Sequence, residues 1–143
     1  GNDVGRKLLI LARELQLEKE FQEIKIQSLI PEKLNGQTSA EEFQRRIGEL
    51  DEIFFQHKKE QNKDHVLRYI GEIEVGSANL EAKLISEPKN TALGQIKGAD
   101  NIFEIYTESY GDQPLVIQGA GAGAAVTARG VVSDVLKLSQ RLN

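Results

Sequence analysis

Two groups of residues in this chain have types and spacing that could do chemistry. The first is Asp3 and Lys7, an acid followed four residues later by a base. In a helix that spacing puts both side chains on one face. Read blandly they are a solvated ion pair. Read as a functional pair, the lysine donates and accepts a proton while the aspartate holds and tunes it. The second group is Gly119-Ala-Gly121-Ala-Gly123-Ala124. Gly119-x-Gly121-x-x-Ala124 has the form of a dinucleotide-binding fingerprint, and it lies between a strand-like run and a helical one, the context that motif requires. The continuation fails: a first βαβ unit needs a further strand and an acid about 20 residues on for the ribose, and the sequence ends on the helical run. Three readings of the turn stand. It is an autonomous nucleotide fold, a tight turn whose small residues permit close packing, or a backbone that approaches a ligand completed by other parts of a larger protein.

Other candidates are weaker. Tyr106 and Tyr110 suit sheet and loop packing, Arg45-Arg46 and Lys58-Lys59 suit solvated helix positions, and the Ser, Thr and His residues form no nucleophile–base pattern. The absence of cysteine among the 143 residues excludes disulfides, thiolate metal sites and a cysteine nucleophile. His57 and His65 have no ligand-like spacing, so no metal site is expected. The net charge is −4, and residues 1–64 carry 11 basic against 13 acidic groups while the rest carry 7 against 9. Neither half has the basic patch of a nucleic-acid footprint. The longest strongly apolar run, Leu8 to Ala12, is far below the roughly 20 residues of a membrane helix. A cytoplasmic or equivalent compartment is expected. The sequence holds no methionine and opens Gly-Asn-Asp directly into a helical pattern, which reads as a piece of a longer protein.

The elements that must position these residues follow from periodicity. Val4, Leu8, Leu11, Ala12 and Leu15 mark a helix over about 3–17. Residues 23–30 alternate as a short strand ending at Pro31. Thr38 or Ser39 with Glu41 and Glu42 is a helix-start signature, and Phe43, Ile47, Leu50, Ile53 and Phe54 predict one long amphipathic helix to about Lys59. Residues 66–75 and 80–85 form an antiparallel hairpin across a short turn at 76–79. Glycines break up 94–98, two more strands cover 101–106 and 114–118, and a terminal helix covers 124–142. The order predicts an α+β fold, a mostly antiparallel sheet with helices packed on one face. An open sheet of this kind often finds its cover in a symmetric partner.

At Gly1-Asn-Asp3-Val-Gly-Arg-Lys7-Leu-Leu-Ile-Leu-Ala-Arg13 and at Pro114-Leu-Val-Ile-Gln-Gly-Ala-Gly-Ala-Gly-Ala-Ala-Val-Thr-Ala-Arg-Gly-Val131 the sequence resembles the homoserine dehydrogenase family. It looks like the C-terminal portion of the dehydrogenase half of a bifunctional aspartokinase/homoserine dehydrogenase. The resemblance runs end to end, through Val66-Leu-Arg-Tyr-Ile-Gly-Glu-Ile73. It implies that Lys7 is the acid/base serving the substrate's hydroxyl or carbonyl oxygen, that Asp3 beside it binds homoserine, and that Gly121 and Gly123 contribute to an NAD(P) site. It implies two parts, a substrate-binding and dimerisation domain over 1–113 and a strand, turn and helix over 114–143 that return to complete a Rossmann-type domain of the parent chain. A homodimer through the sheet and a small-molecule substrate are expected, with a cytoplasmic location, or a plastid one in a plant.

Departures bear on activity. Where relatives usually carry an alanine this chain has Gly5, which should weaken the first helix slightly. The family's own cofactor loop, a second lysine and a glutamate that helps hold the substrate lie upstream of the residues given. The chain alone is therefore expected neither to hold the cofactor nor to turn over substrate. From a different class, a non-catalytic dimerisation or amino-acid effector-binding module would rest on the same β-rich middle, but would not need Asp3, Lys7 and the glycine turn at one cleft.

Overall fold

A computed structural model describes residues 1–142. Asn143, the last residue of the expected C-terminal segment, lies outside the described residues. The chain forms two compact units, Gly1–Lys89 and a second from Asn90 onward.

The first unit is built on a three-stranded sheet of order β1-β3-β2. Strands β2 (His65–Glu74) and β3 (Asn79–Pro88) form the expected hairpin, paired antiparallel over ten residues. Their period-two patterning separates the faces. Tyr69, Gly71 and Ile73 stand opposite Leu84, Ala82 and Leu80 on one face, while on the other Lys83 bridges Glu72 at 2.7 Å and Glu81 at 2.9 Å. β1 (Lys25–Ile26) is shorter than the 23–30 run and pairs parallel to β3. Beyond it the ladder passes to a side chain: the Gln27 N–H donates to the Ala82 carbonyl at 2.8 Å, and Gln27 Oε1 accepts from the Leu84 N–H at 2.7 Å.

Helix α1 (Asn2–Glu14) lays its apolar stripe on the first face. Leu8 and Ala12 join Ile24, Leu80 and Ala82 in the buried core, flanked by Val4, Leu9, Leu17, Phe21, Ile26, Tyr69 and Ile73. It stops three residues before the expected Leu17. Gln16 takes a left-handed conformation (φ 60°), Leu17 N–H reaches the Ala12 carbonyl and Gln16 N–H that of Arg13, the two bonds of a Schellman cap. A single 3₁₀ turn, Phe21–Glu23, precedes β1 and takes up the first residue of the run expected as a strand.

The long helix expected to Lys59 is two helices, α2 (Ala40–Arg46) and α3 (Glu49–Glu60), broken at Ile47-Gly48. Ser39 caps α2 by accepting from the Glu42 N–H. At the break, bonds from Leu50 to Ile47 and from Asp51 to Gly48 tighten the turn. Glycine is a poor helix former, and Arg46 clamps the joint by pairing with Glu42 at 3.3 Å and Glu49 at 2.6 Å. The apolar stripe that favoured one helix buries little: none of its residues is fully buried, and Ile47 is half exposed.

The second unit holds the four-residue helix α4 (Ala92–Gln95), capped by the Thr91 hydroxyl and not foreseen amid the glycines, then β4 (Asp100–Ile105) and β5 (Leu115–Ala120). These two strands pair antiparallel as a separate sheet. Helix α5 (Ala124–Leu142) spans the expected residues. The fold is thus α+β with mainly antiparallel pairing, in two small sheets.

Candidate functional site

In the first unit the site begins with how α1 is seated. Gly5 is buried, and a Cβ there would lie 2.6 Å from Ile26 Cδ1 and 3.1 Å from the Phe21 ring. Opposite, a Cβ on Gly71 of β2 would lie 2.8 Å from Leu8 Cδ2 and 2.9 Å from Val4 Cγ1. Each glycine leaves room for the side chains facing it, Gly5 for Ile26 and Phe21 and Gly71 for Val4 and Leu8. Tyr69, on the same face of β2, donates its hydroxyl to the Gln27 carbonyl at 2.7 Å and abuts Gly1. Burial pushes its phenol up from the usual range.

With Val4 and Leu8 turned to the sheet, the residues before them face outward. Lys7 Nζ lies 2.9 Å from Asp3 Oδ2, and both side chains are about two-thirds exposed or more (67% and 73%). The hydrogen bond and charge of Lys7 hold the Asp3 carboxyl below the ordinary carboxylate range. Asp3 stands in the first turn, where the helix dipole also favours an acid.

In the second unit β5 leads through Gly121, Ala122 and Gly123 into α5. Gly121 donates its N–H to the Ala99 carbonyl at 3.0 Å, and a Cβ on it would collide with the Asn101 side chain. Gly123 has φ +136°, a conformation essentially confined to glycine, and nothing stands within 4 Å of where its Cβ would be, nor of that of Gly119. The turn therefore presents bare backbone at the N-terminus of a 19-residue helix, an arrangement that suits a phosphate-bearing ligand.

The family model for homoserine dehydrogenase matches residues 1–136. The chain belongs to the homoserine dehydrogenase family. It is 43% identical, over its whole length, to a homoserine dehydrogenase of Paracoccidioides brasiliensis, covering 39% of that protein. It is 41% identical over 99% of its length to the maize protein named bifunctional aspartokinase/homoserine dehydrogenase 1, chloroplastic, of which it covers 16%. A solved Candida auris structure, described as a protein of unknown function, matches with TM-score 0.81 at 36% identity over 99% of this chain and 40% of its own. The chain thus spans two-fifths or less of the length of these relatives.

Against this family, Asp3 and Lys7 stand together as the sequence pairs them, and Gly121 and Gly123 form one turn. The first pair belongs to the first unit and the glycines to the second. Of the weaker candidates, Tyr106 donates to Glu104 at 3.1 Å on an exposed surface, and Arg46 is a clamp rather than a plain solvated residue. Among the described residues no group of three or more His, Cys, Asp or Glu could hold a metal, and no helix is long and apolar enough to cross a membrane. Sequence reasoning passed over Gly71 and Tyr69, which touch α1 from beneath. The available signal was a glycine inside an alternating strand, which marks close approach of another backbone.

Proposed function

We propose that this chain is the substrate-binding and dimerisation part of an NAD(P)-dependent homoserine dehydrogenase, whose parent interconverts L-homoserine and L-aspartate 4-semialdehyde on the route to threonine and methionine. The observation that carries the reading is the outward-facing Asp3–Lys7 pair, 2.9 Å apart on a helix seated firmly on its sheet, in a chain of this family.

The chemistry assigns each residue a role. As the neutral amine Lys7 takes the hydroxyl proton when homoserine is oxidised, and the ammonium so formed returns it to the carbonyl oxygen in the reverse direction. Asp3 fixes the ammonium group through one carboxylate oxygen and binds the substrate. The open backbone at Gly123, with Gly121 beside it, holds part of the cofactor. The nicotinamide, when bound, supplies the redox step.

On this reading residues 114–143 return to a Rossmann-type domain upstream, and the chain by itself is inactive. Residues 1–113 carry the substrate and a homodimer contact through the sheet. That functional boundary differs from the compact-unit boundary after Lys89 because it follows the cofactor rather than the packing. The protein works in the cytoplasm, or in a plastid if it comes from a plant.

The test is homoserine oxidation with NADP and with NAD by the parent enzyme carrying Lys7→Ala. A general acid–base group contributes about 100- to 10,000-fold in rate, so kcat falls by that factor with the fold intact. Unchanged turnover reduces the pair to a surface ion pair and moves the reading to a non-catalytic module.

A further inference from the structure

The seat of α1 contains an asymmetry that the reaction as described does not use. On the face of β2 that receives the helix, Tyr69 is bulky and Gly71 has no side chain at all. The residues a Gly71 side chain would meet are Val4 and Leu8, each following directly the residue that does the chemistry, Asp3 and Lys7. The tyrosine is tied to its place, its hydroxyl donating at 2.7 Å to the Gln27 carbonyl just past β1, with the Ala82 carbonyl at 3.4 Å. It lies against Gly1, one residue before α1. The floor is therefore high beneath the residue preceding the helix and low beneath its first two turns.

We propose that Tyr69 and Gly71 are positioning residues for the dehydrogenase reaction: together they set the height and tilt of α1, and through it the placing of Lys7 Nζ and the Asp3 carboxylate. This rests on the catalytic reading of Lys7 given above. Neither residue need touch substrate to affect the rate. A methyl at position 71 would sit 2.8 Å from Leu8 Cδ2, 2.9 Å from Val4 Cγ1 and 3.0 Å from Leu8 Cγ, where ordinary contact begins at 3.4 Å. The end of Leu8 can rotate away. Val4 is β-branched and stiff about its first side-chain bond, so relief requires the helix to rise by about 0.5 Å. Near-attack geometry is steep enough that a misplacement of about 1 Å can cost on the order of 100-fold in rate.

The experiment uses the parent enzyme with Gly71→Ala, Tyr69→Phe and Lys7→Ala, each confirmed folded by circular dichroism and a melting curve, with rates expressed per folded molecule. Gly71→Ala is expected to lower kcat about 10- to 100-fold. It should raise KM for homoserine and leave KM for the cofactor as in the wild type, a split that general loosening of the fold would not produce. The solvent deuterium isotope effect on kcat should rise, because proton transfer through a displaced Lys7 becomes slower relative to the other steps. In a Val4→Ala background the methyl should lose most of its effect, since the stiff contact is gone. Tyr69→Phe keeps the ring and removes one hydrogen bond, and should give a smaller fall in the same direction, about 3-fold.

If Gly71→Ala does not fold, Tyr69→Phe decides the matter. Normal kcat and isotope effect in the folded variants, beside a crippled Lys7→Ala, overturn the inference and leave the catalytic reading standing. A normal Lys7→Ala overturns the catalytic reading itself, and the seat then positions nothing.

Discussion

Single side chains show how local electrostatics and local sterics divide the work. Glu49 accepts from Arg46 and from Lys33, whose Nζ lies 2.6 Å away, and these bonds hold its carboxyl at about 2 against an ordinary 4.5. A folded pKa below the unfolded one gives stability that is present above pH 4.5 and is lost as the pH falls toward 2. Glu49→Gln should therefore lower Tm at pH 7, by a difference that begins to shrink near pH 4.5 and has gone by about pH 2, which paired melting curves across pH would show. Gly5 poses the opposite question. Alanine in its place would gain up to about 1 kcal/mol of helix propensity, and the one contact below 3 Å is with Ile26 Cδ1, the free end of a flexible side chain. Gly5→Ala should thus be neutral within about 1 kcal/mol by urea denaturation, so the helix weakening expected from the sequence is offset by fit against Ile26 and Phe21.

Elements were legible where their signals are local. The β2–β3 hairpin, α5 and the Ser39 cap could be read from the residues that form them, because alternation, helical period and capping act over a few positions. The break at Ile47-Gly48 could not. It depends on Arg46 finding Glu49, on bonds that stop one residue short, and on an apolar stripe with nothing to bury against. The short strand expected at 23–30 shrank to two residues because Gln27 turns its side chain into the ladder, a choice no periodicity announces. The same division holds in the site: Asp3 and Lys7 are four residues apart and could be paired by counting, whereas Gly71 meets α1 across more than sixty residues. At the glycine turn the two kinds of glycine separate cleanly. Gly123 needs its positive φ and Gly119 does not. Gly123→Ala should cost about 1–3 kcal/mol and raise KM for the cofactor, while Gly119→Ala, with open space around it, should leave stability nearly unchanged; chemical denaturation and steady-state kinetics would check both.

Across the whole molecule, apolar surface is distributed unevenly. The first unit has a buried core under α1, but Val131, Val132, Val135 and Leu136 of α5 and Phe103 and Ile117 of the second sheet are each at least half exposed. Exposed apolar area on this scale marks a surface that meets another. For the homodimer proposed above, Phe103→Asp, within residues 1–113, should shift sedimentation equilibrium toward monomer, and added salt should not mimic it, because the attraction is apolar rather than ionic. The hairpin has a further consequence, for the order in which the molecule assembles. Its ten residue pairs close through a four-residue turn, Val75 to Ala78, whereas Gln27 must find Leu84 across 57 residues. Chain-closure entropy favours the short loop by roughly 2 kcal/mol. The hairpin should therefore protect its amides from hydrogen exchange earliest in pulse-labelled refolding, with β1 and α1 following. Lys7 and Asp3 can pair as soon as α1 is a helix, but they have nowhere to stand until the floor beneath them is laid.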